Sequence, residues 1–106
     1  MIARLFLGAG LALALAGCAK SPADLAAVAC RKAVAERLGD KVYEMVDAEL
    51  VGGYKPGDGA IAEISAPIYF DKGLPAETRQ TLNCRVQFDP AKSGAEPAVI
   101  GMMFQW

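Results

Sequence analysis

The sequence predicts an α+β fold: one N-terminal helix packed on an antiparallel meander sheet of three to four strands. Three observations carry that expectation. Ser21-Pro22-Ala23-Asp24 reads as a helix start, and apolar residues follow it at helical spacing. The stretches 60–70, 78–88 and 98–106 alternate apolar and polar residues, as half-buried strands do. The segments that join them are short and rich in Gly, Pro and Asp, which suits hairpin turns better than long crossovers.

The first residues stand apart from that fold. Met1 to Arg4 carries one positive charge, and Leu5 to Leu15 is an uncharged run of eleven residues closed by the small Ala16 and Gly17. This is the layout of a secretory signal peptide. A spanning helix needs about 20 apolar residues, and Lys20 ends the run sooner. Leu15-Ala16-Gly17-Cys18 resembles the lipobox of bacterial lipoprotein precursors. The resemblance implies that residues 1–17 are removed, that the Cys18 sulfur carries a diacylglyceryl thioether and that its new amine is acylated. Two or more chains anchor stably where a single one holds only marginally. In such lipoproteins Asp after the cysteine suggests inner-membrane retention. Ala19 therefore points to the outer membrane facing the periplasm, with the inner membrane as the alternative. Ala14-Leu15-Ala16 also fits ordinary signal cleavage, which would release a soluble secreted protein.

With Cys18 lipidated, residues 18–21 form a tether and residues 22–106 a small periplasmic domain. Ala19 to Ser21 reaches about 10 Å at most, which would hold the domain close to the bilayer. There are three cysteines, an odd number for an exported chain. Acylation of Cys18 leaves Cys30 and Cys84 as a disulfide pair, in a compartment that permits one. By loop entropy, bridging their 54-residue separation contributes about 4 kcal/mol. Small domains often need such a staple.

The helix is expected from Pro22 to Leu38. Ser21 can cap it, Pro22 suits its first position, Asp24 sits well in its first turn and Gly39 can end it. Ala23, Ala27, Cys30, Val34 and Leu38 share a face, and Lys32 can pair with Glu36 opposite. Lys41 to Val51 fits either periodicity, and its β-branched content favours a strand with Val42, Val46, Ala48 and Leu50 on one side. Gly52 to Gly59 holds four glycines and a proline, so a loop is expected with Tyr54 as a contact residue at its tip. It does not end in Gly-Lys-Ser/Thr and opens no helix, unlike a phosphate-binding loop.

Ala60 to Phe70 alternates, with Pro67 implying an edge position or a bulge. In Thr78 to Phe88, Leu82, Cys84, Val86 and Phe88 face one way, and Arg79, Thr81, Asn83, Arg85 and Gln87 the other. Cys30 and Cys84 thus both fall on the core side of their elements. Asp89 to Pro97 is a polar turn. Ala98 to Trp106 is a last strand, expected to bury Ala98, Ile100, Met102, Phe104 and Trp106. Its aromatic end resembles the closing strand of outer-membrane barrels, but a barrel needs about eight strands. In outline the whole resembles outer-membrane assembly lipoproteins and cystatin-like modules, an analogy of architecture alone.

Composition restricts the chemistry. Histidine is absent from the sequence, which removes His-based nucleophile pairs and imidazole metal ligands. Neither Cys30 nor Cys84 lies in a C-x-x-C motif. A Ser–Lys pair could use only Ser65 or Ser93 of the strand and loop serines, and Asp47 with Glu49 could form a carboxylate pair on a strand face. Each is more simply a solvated surface residue. Loss of Arg4 with the signal peptide leaves ten Lys and Arg against twelve Asp and Glu, a net charge of −2. No basic stripe exists, so no nucleic-acid partner is expected. No cofactor and no metal are expected either. The expectation is a non-enzymatic envelope lipoprotein acting through protein contacts, with Arg79 and Arg85 on its outward face. A ligand-binding or hydrolase-inhibiting module using Tyr54 is the alternative, and a hydrolase the third.

Overall fold

The computed structural model describes residues 20–106; the stretch expected to be a signal peptide, the expected lipobox with Cys18, and Ala19 lie outside the described residues. The chain forms a helix α1 (Pro22–Leu38), a short strand β1 (Tyr43–Glu44), a one-and-a-half-turn helix α2 (Asp47–Gly52), and strands β2 (Tyr54–Pro56), β3 (Ile61–Phe70), β4 (Thr78–Gln87) and β5 (Ala98–Gln105). The result is a five-stranded antiparallel sheet with α1 across one face.

Helix α1 has the expected limits. Ser21 Oγ accepts from the Asp24 amide while the Asp24 carboxylate accepts from the Ser21 amide, a full capping box. Gly39 closes the helix at a positive φ of 58° and donates its amide to the Ala35 carbonyl. Ala26, Ala27, Cys30 and Val34 point into the core, with Leu38 at its margin and Ala23 only half-buried. The small side chains let the helix lie close enough to the sheet for the Cys30–Cys84 disulfide to bridge the layers, with Cα atoms 6.2 Å apart. Lys32 does not pair with Glu36. Its ammonium is 2.8 Å from Glu96, in the turn before β5.

The sheet departs from a simple meander. Strands β2 to β5 run as one, but β1 also pairs with β3, so β1 and β2 share a single edge end to end. β1 lies against Tyr69 and Phe70, and β2 against Ala62, Glu63 and Ile64. α2 fills the gap between them. This corrects the expected strand over 41–51. Only Tyr43–Glu44 is extended, Val42 and Val46 are exposed, and Leu50 is buried from a helix. It also explains Pro67. The Ser65 amide donates to the Gly53 carbonyl, so odd-numbered residues of β3 turn their backbone groups towards β2. The missing N–H of Pro67 therefore faces the gap, where neither β1 nor β2 needs it. Pro67 sits in a central strand, without a bulge.

The core follows the alternation of β3 and β4. Ala62, Ile64, Ala66 and Ile68 pack with Leu82, Cys84 and Val86 against α1. In β5 the expected parity fails halfway. The β4–β5 register shifts at Arg85/Val86, so Ile100 is the extra residue of a bulge. Met102 and Phe104 pack inward as expected. Beyond the bulge Val99 turns in, Ala98 and Ile100 are exposed, and Trp106 lies past the strand, largely exposed.

Candidate functional site

One face of the sheet is covered by α1. The other carries the outward residues of β2 to β5 in transverse rows, set by the register. One row runs Lys55, Glu63, Arg85, Gly101 across the four strands. The next holds Ser65, Asn83 and Met103, and the one after it Pro67, Thr81 and Gln105. Asn83 donates its side-chain amide to Gln105 at 2.9 Å, which ties β4 to β5 on this face.

The charged row is the part with recognition chemistry. Glu63 stands between two cations on neighbouring strands, and Arg85 stands between Glu63 and a glycine. Among the described residues the ion pairs are Arg31–Asp47, Lys32–Glu96 and Lys72–Glu44. Lys55, Glu63 and Arg85 thus keep their hydrogen-bonding capacity for water or a partner. Two shallow clefts meet at this row. One, about 610 Å³, lies over the β2–β3 turn and is lined by Lys55, Asp58, Glu63, Ser65 and Arg85 among others. The second, about 550 Å³, lies towards β5 and is lined by Glu63, Asn83, Arg85, Gly101, Met103 and Gln105 with Met102. Glu63 and Arg85 belong to both. Gly101 lies in the second cleft, and a Cβ there would meet only open space.

The structure separates the residues singled out in the sequence. Arg85 is at the junction of the clefts. Arg79 shares its face but lies six residues along the strand, about 20 Å away. There the Arg79 guanidinium sits 5.9 Å from the Tyr69 ring centroid, with the Lys72 ammonium 4.9 Å from the same ring. Lys72 also donates to Glu44 at 2.6 Å, and that hydrogen bond raises its pKa above the ordinary lysine value. This end of the face is internally paired. Tyr54 is not a loop tip. It opens β2 opposite Ile64, and the pleat turns its half-buried ring towards the core. Asp47 and Glu49 do not form a carboxylate pair. They lie in the first turn of α2, where Asp47 meets Arg31 and Glu49 lies at long hydrogen-bonding distance from the Tyr69 hydroxyl. Arg31 also donates to the Met45 carbonyl, which fastens the start of α2 to α1.

Ser65 is exposed at a cleft wall and Ser93 lies in the turn before β5. Among the described residues the hydrogen-bonded lysines are Lys32 and Lys72, each to a glutamate, so neither serine is hydrogen-bonded to a lysine. Among the described residues no group of three acidic, Cys or His side chains is arranged to hold a metal ion, and no helix is long and apolar enough to cross a membrane. Glu63 was not singled out by sequence reasoning. Its place between Lys55 and Arg85 depends on register, which alternation alone does not supply.

Compared with protein-family models, with curated proteins and with solved structures, the chain matches none.

Proposed function

We propose that this chain is a small lipoprotein of the bacterial cell envelope. Lipid on Cys18 holds it to the outer membrane on the periplasmic side, and it works through protein contacts rather than catalysis. One observation carries the reading: the buried Cys30–Cys84 bridge accounts for two of the three cysteines and leaves Cys18, within Leu15-Ala16-Gly17-Cys18, as the odd one. A structural disulfide suits a compartment outside the cytoplasm. The contact surface is the open sheet face around Arg85, whose charged row has no internal ion pairs.

The intact mass of the chain from detergent-solubilised membranes, alkylated with and without reduction, tests the anchor. The expected species begins at Cys18, carries acyl mass and exposes two alkylatable thiols only after reduction. A species that begins at Gly17 without lipid would establish a secreted soluble protein instead. The contact surface is tested by cross-linking in cells. Arg85→Gln is expected to remove heterologous cross-linked species present in the wild type without lowering the melting temperature, since Arg85 is exposed and no ion pair holds it. If the wild type yields no heterologous species under conditions that capture other lipoprotein complexes, the protein-contact role is lost.

The cleft over the β2–β3 turn favours a second reading, a ligand-binding or inhibitory module. A small molecule retained by the purified chain in native mass spectrometry, and lost in Lys55→Ala, would support it.

A further inference from the structure

The two edges of the sheet are unlike. At one, β1 has two residues, β2 has three including Pro56, and α2 fills the space between them. Such short, interrupted strands protect an edge from unwanted pairing. At the other, β5 runs for eight residues without a charge or a proline, and among the described residues no strand pairs with its outer side. The bulge at Ile100 disturbs only its first part.

The backbone groups that β5 offers can be assigned. Odd-numbered residues of β3 turn towards β2, so even-numbered ones turn towards β4. The register carries this across. Gly101, Met103 and Gln105 turn their backbone groups to β4, and Met102 and Phe104 turn theirs to the free edge. Three of the six large exposed apolar side chains also belong to this strand and its end: Ile100 at 48%, Met103 at 56% and Trp106 at 87% exposure.

From this geometry we propose that β5 pairs antiparallel with β5 of a second copy of this chain, about a two-fold axis through Met103. In that register Met102 lies opposite Phe104 of the second copy, and Phe104 opposite Met102. Both are pairs whose free N–H and C=O groups face each other. Met103 meets Met103, and Ile100 meets Trp106. Gly101 lies opposite Gln105 and leaves room for its side chain. One symmetric register thus partners all three exposed apolar residues within the same stretch. Without charge on the strand, self-pairing brings no like charges together. A two-fold contact of this kind is self-complementary and closed, and it joins the two sheets into one of ten strands. The dimer requires neither the lipid anchor nor the charged row of Lys55, Glu63 and Arg85.

The test is disulfide trapping in whole cells that make the full chain with Met103→Cys, with membrane and soluble fractions analysed together. Opposed residues of a non-hydrogen-bonded antiparallel pair have Cα atoms about 4.5 Å apart, within disulfide reach. Mild oxidation is expected to give a covalent product that mass spectrometry identifies as two copies of this chain. Val42→Cys, exposed near the opposite edge, keeps the same native cysteines and gives the background. Ile100→Lys combined with Met103→Lys alters only exposed positions. It is expected to convert a dimer to a monomer in sedimentation, with a circular dichroism spectrum that shows the chain still folded. The proposal is overturned if Met103→Cys cross-links no better than Val42→Cys, if its product contains a different protein, or if the wild type sediments as a monomer. Each of these results stands whatever the lipid analysis finds.

Discussion

Replacing Cys30 and Cys84 together by Ala is expected to cost about 4 kcal/mol of stability, within the usual 2–5 kcal/mol for a small disulfide-linked domain. For a domain of this size that lowers the melting temperature by roughly 15–30 °C. The bridge joins the middle of α1 to the middle of β4 and closes a 54-residue separation. It therefore removes much of the freedom of the unfolded chain. Both cysteines are fully buried, so reductant alone should act slowly on the folded protein. The double variant separates the thermodynamic effect from access. Denaturation by urea, followed by circular dichroism, measures it, and an unchanged midpoint would mean that the bridge does not hold the layers together. Because folded domains are stable by only about 5–15 kcal/mol, this one covalent link is a large share of the total.

Gly53→Ala is the second large effect, at about 3 kcal/mol of destabilisation, the upper range for overpacking. Gly53 ends α2 and leads directly into β2. A Cβ there would lie 2.0 Å from the Ser65 carbonyl oxygen and 2.9 Å from its carbon. Both are backbone atoms of the central strand, so no flexible side chain can swing aside. Either β3 moves, or α2 lifts away and exposes Leu50, which is fully buried. Gly53 has an ordinary backbone conformation, so the cost is steric, and its carbonyl also accepts the Ser65 amide. The neighbouring Gly52 is the control. A Cβ at Gly52 meets nothing within 4 Å, so Gly52→Ala should be neutral or should stabilise the end of α2 by about 0.5–1 kcal/mol. Equal melting temperatures for the two variants would mean that α2 does not pack on β3 as described.

α1, β3 and β4 were legible from local order because each makes its own case within a few residues. Ser21, Asp24 and Gly39 mark the helix ends through hydrogen bonds and a φ value that only neighbouring residues determine. The alternation in β3 and β4 is unbroken, so Ile64, Leu82 and Cys84 could be placed on the core face without knowing what lay opposite. Placing Cys30 and Cys84 on inward faces then made their pairing a question of two surfaces that meet. Of the candidate site, Arg85 was placed on the correct face for the same reason.

Other features were settled by contacts between distant parts of the chain. Lys41 to Val51 satisfies two periodicities. It becomes β1 and α2 because β3 leaves a gap between Ile64 and Tyr69 that a short helix with Leu50 can fill, and because Gly53 can lie against Ser65. Tyr54 faces inward through its pairing with Ile64, and Lys32 finds Glu96 through the path of the chain before β5. One bulge reverses the facing of Val99 and Ile100, although the alternation in the sequence runs straight through. Capping, helical spacing and strand alternation are properties of adjacent residues and can be read in order. Register, bulges and the filling of an edge depend on which strands meet, so only the folded chain decides them.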